Sequence, residues 1–555
     1  MNRSGLTFLG ITTLFGSLIN ILPAWADGLG VEESFDAVIL PVLNVDIEPP
    51  FMGDVGSRLE VLPELLPADS PVEAQMPAAN PDNNRVVPVL VESENGEPEN
   101  GEPENGASES IDLEIDLENA ELQVDPSALQ AVDYYNRGVR AYRKGEFGQA
   151  VSSFDAAIAA NPNYAEAYVF RAAAQLQLND GAAAMDDYIS AISVRPDYAL
   201  AYFSRGALFY EMGEFASAMD DFQQAIAINP AYVEAYNYLG LAKATTGDYE
   251  GALADYEMAL SLDPDYAPAY LHRGAALIEL GEFDSAIASL TLAIDNRQNY
   301  AEAFLNRGVA YYRLGTFSAA LADLNKAARL NPDSSEVYFN RSYVYSALGR
   351  PNDALGDINK VLTRQPNSIE AYMARGTLYS AQGNNTAAIA DFNRVIELDA
   401  NSSAAYEQRA IARIANNNLP EAIADYDSAI VLNPVDDSIY KGRADAYAIY
   451  GNLPAAIADY TYAIELDNKN EAAIAARGRS LYESGDARRA YQDFSIVIRQ
   501  NPSTSPDVYY YRGLTLMAIG DEFAAYNDLQ TAAERYLAAG SAEGYRAVIN
   551  RMRDL

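Results

Sequence analysis

A 34-residue repeat is the feature of this sequence that most limits its fold. Eleven repeats follow one another without an insertion from Ala131 to Thr504, and a twelfth begins at Pro506 after the single extra residue Ser505. The eighth position of every repeat is glycine, alanine or serine, and the twentieth position is always alanine. Small residues at two fixed positions predict a close approach of two backbones in each repeat.

Each repeat has the pattern of a helical hairpin. In residues 199–232, apolar residues recur at spacings of three and four in two blocks, which are separated by Met212, Gly213 and Glu214. This spacing is typical of amphipathic helices, and a glycine commonly ends a helix. A single hairpin would leave one apolar face in water, so neighbouring hairpins are expected to stack into a solenoid.

The repeat resembles the tetratricopeptide repeat family, whose unit has small residues at these two positions, an early aromatic residue and a late proline. The aromatic residue occurs from Tyr134 to Tyr509, with Ile474 as the exception, and the proline is replaced only by Gln298, Ala400 and Asn468. The resemblance implies an all-α fold: a right-handed superhelical solenoid of about 12 hairpins over residues 131–539. Residues 540–555 are predicted to form a C-terminal capping helix, with Ser541 as its N-cap.

The resemblance also implies where a partner binds, because this family lines a concave groove with positions two, five, nine, twelve and thirteen of the first helix. Packing between helices is the alternative role for the aliphatic residues, and exposed aromatic rings are the stronger candidates. The Lys/Asn carboxylate clamp of some family members is not predicted, because no asparagine stands at position nine. The predicted contact residues are Tyr135, Tyr142, Arg143, Phe203, Tyr210, Leu271, Ile278, Leu305, Tyr312, Arg313, Phe339 and Tyr343.

Two charged positions recur with the period of the repeat. Position seven is arginine in every repeat except the one with Leu239, and position twenty-three is aspartate except at Ser153 and Ser289. These residues could form a ladder that binds an extended ligand, or they could pair with each other across the hairpin. We favour the ion pair, because the period is that of the fold and the arginine fork matches a carboxylate.

Composition excludes several classes of site. The net charge is -41, from 38 Lys and Arg against 79 Asp and Glu, which argues against nucleic acid as a partner. Without cysteine and with His272 as the only histidine, the chain cannot form disulfides, thiolate nucleophiles or Ser-His-Asp triads. A lone histidine is more often structural. No catalytic constellation, metal site or cofactor motif stands out, so we predict no enzyme activity and no cofactor. A carbohydrate-handling enzyme that uses two carboxylates is the alternative.

Residues 1–26 have the layout of a signal peptide. Arg3 precedes an apolar stretch, and the segment ends in the small-x-small tripeptide from Ala24 to Ala26. We expect cleavage after Ala26 and no stable membrane insertion afterwards; an uncleaved anchor is the alternative. The protein is therefore expected to be exported, with the periplasm as the first choice of compartment.

Residues 27–130 are predicted to be a disordered acidic linker. They contain 25 acidic residues against Arg58 and Arg85, and 12 of the 26 prolines. Two segments depart from this composition: the apolar 35–43, and 111–117, where apolar and acidic residues alternate. Either could dock onto a partner, and 111–117 could occupy the chain's own groove.

These features favour a non-catalytic scaffold that binds a protein or peptide partner in the concave groove of the solenoid. The alternative is a structural or accessory subunit of an envelope machine for polysaccharide export, pilus assembly or outer-membrane biogenesis. The sequence does not predict an oligomeric state.

Overall fold

The computed structural model describes residues 126–553. Within this range the chain forms 25 α-helices and no strand, as predicted. It divides into two compact units, described here as the N-terminal unit, up to Leu330, and the C-terminal unit, from Asn331. The predicted signal peptide 1–26, with Ala24 and Ala26, and the predicted linker up to residue 125 lie outside the described residues.

The N-terminal unit contains six helix pairs, one for each of the first six repeats. Their bounds are α1 Pro126–Arg143, α2 Phe147–Ala160, α3 Ala165–Gln177, α4 Gly181–Val194, α5 Ala199–Glu211, α6 Phe215–Ile228, α7 Val233–Thr245, α8 Tyr249–Leu262, α9 Ala267–Glu279, α10 Phe283–Asn296, α11 Ala301–Arg313 and α12 Phe317–Leu330. Within the unit, each first helix packs on the second helix of its own repeat and on the second helix of the preceding repeat. Successive first helices also contact each other, so they form one continuous layer.

The C-terminal unit contains the other six pairs and one further helix, and here too each helix packs on the next one along the chain. The bounds are α13 Ser335–Ala347, α14 Pro351–Arg364, α15 Ile369–Ala381, α16 Asn385–Leu398, α17 Ser403–Ala415, α18 Leu419–Leu432, α19 Asp437–Tyr450, α20 Leu453–Leu466, α21 Glu471–Glu483, α22 Ala487–Gln500, α23 Pro506–Ile519, α24 Glu522–Ala538 and α25 Ala542–Met552. None of the helices between residues 126 and 553 combines the length and the apolar character that crossing a membrane requires.

Two predicted boundaries need adjustment. The first helix begins at Pro126, so the last five residues of the predicted linker are helical. A proline suits the first position of a helix, because its missing N–H would have no partner there, and the residues after it continue the helix of the first repeat. At the other end, α25 ends at Met552, and Leu555 lies outside the described residues.

The predicted N-cap of α25 is confirmed, since Ser541 accepts a hydrogen bond from the backbone N–H of Gly544. Val548 is fully buried against α24, and Tyr545, Ile549 and Met552 pack beside it. This helix covers the apolar end of the last hairpin.

The turn inside each hairpin has a left-handed residue. Gly213 has φ 77°, and the N–H of Glu214 donates to the carbonyl of Phe209, which closes the end of α5. Two repeats carry asparagine in place of this glycine, at Asn179 and Asn417, with φ of 60° and 59°. Asparagine is one of the few other residues that tolerate this conformation.

The turn between repeats explains the early aromatic residue and the late proline. The hydroxyl of Tyr168 donates to the carbonyl of Pro162 at 3.2 Å, and the hydroxyl of Tyr372 donates to the carbonyl of Pro366 at 3.2 Å. The same bond joins Tyr338 to Pro332, Tyr440 to Pro434 and Tyr509 to Pro502. These pairs tie the start of a first helix to the end of the preceding hairpin.

The small residue at position eight lies against a large side chain at position twenty-four. A Cβ atom added to Gly376 would lie 2.6 Å from Cε1 of Phe392, and one added to Gly274 would lie 2.5 Å from Cγ of Leu290. The close approach predicted from the sequence therefore involves mainly the side chain at position twenty-four. The alanine at position twenty is fully buried beside it, as at Ala388.

The two units begin their first helices differently. In five of the six repeats of the N-terminal unit, the residue before the first helix is a tyrosine that makes no capping hydrogen bond: Tyr164, Tyr198, Tyr232, Tyr266 and Tyr300. In the C-terminal unit the same position carries a residue whose side chain accepts a capping N–H: Ser334, Ser368, Ser402, Asp436, Asn470 and Ser505. The capped helices follow the usual preference, while the tyrosines need another explanation.

Candidate functional site

The layer that the first helices form in each unit, called the inner layer from here on, is the candidate interaction surface. The structure corrects the predicted exposure of some of its residues. Five of the twelve predicted contact residues are buried: Phe203, Tyr210, Leu271, Ile278 and Leu305. Packing was the alternative role for the aliphatic residues, and the structure places them there.

The correction matters most for the two aromatic residues, which were expected to be exposed. The ring of Phe203 lies 5.8 Å from the ring of Phe222 and 5.0 Å from the ring of Tyr232. The hydroxyl of Tyr210 is 2.9 Å from Oγ1 of Thr245 in the next repeat. Only 7% of Phe203 and 3% of Tyr210 remain exposed. Aromatic neighbours from adjacent helices cover both rings.

The other seven predicted residues keep some exposure. Arg143 is exposed, and Tyr135, Tyr142, Tyr312, Arg313, Phe339 and Tyr343 are partly buried. Phe339 and Tyr343 lie together edge to face, with 5.1 Å between ring centroids. Burial raises the pKa of Tyr142 to about 12, and its ring packs on Phe147 at 5.3 Å. These seven side chains remain predicted contact residues.

Arg313 faces an acidic side chain on the neighbouring first helix. It stands at position thirteen of α11, and Glu279 holds the same position in α9. Burial raises the pKa of the Glu279 carboxyl to about 7, although the positive charge of Arg313 opposes the shift. The inner layer therefore has a carboxyl here that changes charge near neutral pH.

The charged positions seven and twenty-three pair with each other, as favoured from the sequence. In nine repeats the arginine guanidinium donates to both carboxylate oxygens of the aspartate sixteen residues later; the aspartate is buried in eight of them and partly buried at Asp459. The arginines are Arg171, Arg205, Arg307, Arg341, Arg375, Arg409, Arg443, Arg477 and Arg512. Side chains that already satisfy each other inside a hairpin make a poor ligand ladder.

Sequence reasoning missed a second role of these arginines. The remaining guanidinium nitrogen of Arg375 donates to Oδ1 of Asn359 in the preceding repeat at 2.7 Å, and that of Arg443 donates to Asp427 at 2.6 Å. Position twenty-five supplies an oxygen acceptor in these repeats. The arginine thus joins two adjacent hairpins as well as the two helices of its own.

The fourth repeat lacks the arginine and the fifth repeat lacks the aspartate, and each forms a different contact instead. Leu239 replaces the arginine in the fourth repeat, and Lys243 reaches Oδ2 of Asp255 at 2.6 Å instead. In the fifth repeat Nε of Arg273 donates to Oγ of Ser289 at 3.1 Å. A buried carboxylate is supplied with a cation even where the arginine is absent.

The inner layer of the C-terminal unit carries a polar group that sequence reasoning also missed. Nζ of Lys441 lies 3.0 Å from Oδ2 of Asp445, and the hydroxyl of Tyr460 donates to the other oxygen of that carboxylate at 2.5 Å. One repeat earlier, burial raises the pKa of Glu407 to about 7, with a further contribution from Asp436. Lys441 and Glu407 hold position five of successive repeats, Asp445 holds position nine, and Tyr460 comes from the second helix α20.

His272 occupies position six of the fifth repeat. Its Nδ1 lies 2.9 Å from Oδ1 of Asn237 at position five of the preceding repeat, and its ring packs 6.0 Å from the ring of Tyr256. Burial lowers the pKa of the imidazole to about 4. The neutral ring thus links two first helices, in agreement with a structural role.

We expect proton NMR to measure this pKa directly, because His272 is the only histidine of the chain. The imidazole resonances should titrate near pH 4, since the charged ring would lose its solvation on burial. In protein unfolded by urea the same resonances should titrate near pH ~6.5. A value near 6.5 in the folded protein would show that the ring is solvated.

The starts of the first helices in the N-terminal unit form a tyrosine row with carboxylates beside it. The guanidinium of Arg195 lies 3.7 Å from the ring centroid of Tyr198, and its Nη1 lies 2.8 Å from Oε1 of Glu166. Arg297 lies 4.7 Å from the ring centroid of Tyr300. The recurrence of tyrosine at position thirty-four was visible in the sequence, but its neighbours were not.

Comparisons with known proteins agree with this architecture. Profiles described as tetratricopeptide repeat match residues 135–199, 271–335, 324–356, 369–402 and 408–471, and one described as TPR repeat matches 208–247 and 244–281. No protein of the curated set is significantly similar to this chain in sequence.

Solved structures of repeat proteins are also similar to the chain. A tetratricopeptide repeat protein from Parabacteroides merdae is 24% identical, over 45% of this chain and 98% of its own, with a TM-score of 0.38. Yeast Tom70 is 16% identical, over 76% of this chain and 96% of its own, with a TM-score of 0.37. YrrB, described as a TPR protein with an unusual peptide-binding site, is 21% identical, over 34% and 97%, with a TM-score of 0.29.

Proposed function

This chain belongs to the tetratricopeptide repeat family, and we propose that it is a non-catalytic scaffold that binds a protein or peptide partner on its first helices. Proteins of this family bind protein or peptide partners. The proposal names the inner layer of each unit as the binding surface and assigns no chemical reaction to it.

The tyrosine row of the N-terminal unit is the observation that carries this proposal. Five consecutive first helices begin after a tyrosine that caps nothing, although a serine, aspartate or asparagine caps the equivalent helices of the C-terminal unit. Each missing cap forgoes about 1 kcal/mol of helix stability. Tyr164, Tyr198 and Tyr266 are only partly buried and offer contact area in return, as aromatic residues do at protein interfaces, whereas Tyr232 and Tyr300 are buried.

A crosslinking experiment with three forms of the full chain tests the proposal. The inner-layer variant combines Arg143→Ala, Tyr312→Ala and Arg313→Ala, which change side chains that keep some exposure. The control variant combines Met258→Ala and Leu292→Ala, which are 45% and 42% exposed on the second helices α8 and α10 of the same unit. Both variants shorten side chains that are at least partly exposed, and the control variant leaves the first helices unchanged.

We expect one partner to crosslink to first helices of the wild-type protein, to be lost from the inner-layer variant and to remain with the control variant. Circular dichroism should show equal helix content in all three forms. Crosslinks confined to residues 27–125, or to the second helices, would contradict the proposed surface.

We further propose that the protein is exported and works in the cell envelope, most simply in the periplasm of a bacterium. The signal-like residues 1–26, with the cleavage-like tripeptide Ala24-Trp25-Ala26, support this location. N-terminal sequencing of protein purified from its native cells should begin at Asp27. A mature chain that begins at Met1 or Asn2 in the cytoplasmic fraction would contradict export.

A further inference from the structure

The second repeat holds a cation between an aromatic ring and a carboxylate. Arg195 stacks on Tyr198 and bridges to Glu166, with the distances given above. Tyr164, the tyrosine before α3, is close to the same charges: burial and Glu166 raise the pKa of its hydroxyl, and Arg195 lowers it. A guanidinium suits this setting, because its flat face stacks on a ring while its edge donates to a carboxylate.

The fourth repeat has the same tyrosines and glutamate but lacks the arginine. Glu234 stands where Glu166 stands two repeats earlier, and Tyr232 and Tyr266 take the places of Tyr164 and Tyr198. The place of Arg195 is taken by Asp263. Oδ1 of Asp263 accepts the N–H of Asp265 at 3.0 Å in the turn. Among the residues described, Glu234 makes no ion pair.

A further ring borders the same place. Tyr238 lies one helical turn after Glu234 on α7, and its ring packs edge to face on Phe203 at 5.3 Å. Phe203 also contacts Tyr232 at 5.0 Å. Glu234, Tyr238 and Tyr266 are partly exposed, so the group is open to solvent. We call Glu234, Tyr232, Tyr238 and Tyr266 the fourth-repeat pocket.

The charges around the fourth-repeat pocket are not balanced. Burial and then Glu234 raise the pKa of both Tyr232 and Tyr266, and no cation opposes these shifts. Burial also raises the pKa of Tyr198 and Tyr300, but there Arg195 and Arg297 reduce the increase. Arg205 of the third repeat and Lys243 of the fourth have other partners, since Arg205 pairs with Asp221 and Lys243 pairs with Asp255.

We propose that the fourth-repeat pocket binds the guanidinium of an arginine side chain from a partner peptide, in the way that Arg195 occupies the second repeat. This proposal rests on the proposed function and names the chemistry of its partner. A chain with a net charge of -41 attracts cationic partners. Its own segment 27–130 is an unsuitable occupant, because it carries 25 acidic residues against two arginines.

The test uses the full chain and a fluorescein-labelled peptide of alternating glycine and arginine, with a glycine–lysine peptide of equal charge for comparison. Binding is followed by fluorescence anisotropy at physiological salt. Glu234→Gln removes the charge of the pocket and keeps its shape. Glu166→Gln is the matched control, because that carboxylate already has Arg195. Asp263→Arg supplies the missing arginine at a position where Arg195 and Arg297 show that arginine fits.

We expect Glu234→Gln to weaken binding of the arginine peptide about tenfold, and Asp263→Arg to do so at least as strongly, because the pocket is then filled from within. Glu166→Gln should change the affinity less than about twofold, which is the scale of a screened, already paired charge. The lysine peptide should bind more weakly than the arginine peptide.

Three results would overturn the proposal: equal losses in Glu234→Gln and Glu166→Gln, no loss in either pocket variant, or equal binding of the lysine peptide. If the arginine peptide does not bind while a partner still crosslinks to the first helices, the pocket assignment fails and the scaffold function stands. Peptide binding that depends on Glu234, without any crosslinked partner, would support the pocket and contradict the scaffold function.

Discussion

Replacing Arg375 by alanine is expected to lower the free energy of unfolding of the C-terminal unit by about 3 to 5 kcal/mol, the usual cost of stranding one member of a buried ion pair. Arg375 donates to Oδ1 and Oδ2 of Asp391 at 2.7 and 2.8 Å, and only 5% of Asp391 is exposed. The substitution also removes the hydrogen bond to Asn359 of the preceding repeat. Urea unfolding followed by circular dichroism measures the change.

Arg137→Ala is the matched control for this prediction. Arg137 holds the same position in the first repeat, but its partner Asp133 is on its own helix and both side chains are more than half exposed. Its loss should cost at most about 1 kcal/mol. If Arg375→Ala costs no more than Arg137→Ala, the arginine and aspartate positions do not stabilise the hairpins.

The fourth repeat suggests how to restore the loss. There Leu239 replaces the arginine and Lys243, four residues later, pairs with the buried Asp255. The double variant Arg375→Leu with Tyr379→Lys copies this solution in the eighth repeat. It should recover part of the stability that Arg375→Ala loses, because the carboxylate regains a cation.

The features that the sequence predicted well are those fixed within one period. The hairpins follow from apolar spacing and from the turn at Gly213. The pairing of Arg375 with Asp391 follows from a fixed separation of sixteen residues. The N-cap Ser541 follows from its own side chain and the next three residues. None of these depends on which side chains the neighbouring repeat supplies.

The exposure of the inner layer could not be predicted in this way. Position five has the same register in every repeat, yet Phe203 is buried because Phe222, Tyr232 and Tyr238 surround its ring. The periodic pattern does not predict these neighbours, which come from α6 and from the start and the body of α7. Whether a ring at this position faces solvent is decided by the sizes of the side chains around it.

The inner-layer charges escaped prediction for a related reason. Arg195 and Glu166 are 29 residues apart, at the end of the second helix and at the start of the first helix of one hairpin. They meet only because the two helices pack antiparallel. Ser438 and Glu407, 31 residues apart, meet across two repeats. The tyrosine before the first helix marks some of these places in the sequence. The structure is needed to show which charge each one meets.

Gly376→Val is expected to destabilise the C-terminal unit by about 2 to 3 kcal/mol through overpacking. A Cβ atom at residue 376 would lie 2.6 Å from Cε1 of Phe392 and 2.9 Å from Cζ, and valine adds two further methyl groups. Phe392 is fully buried against Met373 and Val395, so its ring cannot move aside without displacing the core between α15 and α16. Alanine occurs naturally at this position, as in Ala410, so the smaller substitution is a milder test.

Gly356→Val provides the comparison, because this glycine lies on the exposed side of α14 and an added Cβ atom meets nothing within 4 Å. Its effect should stay within about 0.5 kcal/mol, as for most surface substitutions. The double variant Gly376→Val with Phe392→Ala should cost less than the sum of its two single variants, because removing the ring opens the space that valine needs. Equal effects of the two valine substitutions, or strict additivity in the double variant, would show that the ring at position twenty-four does not require the small residue at position eight.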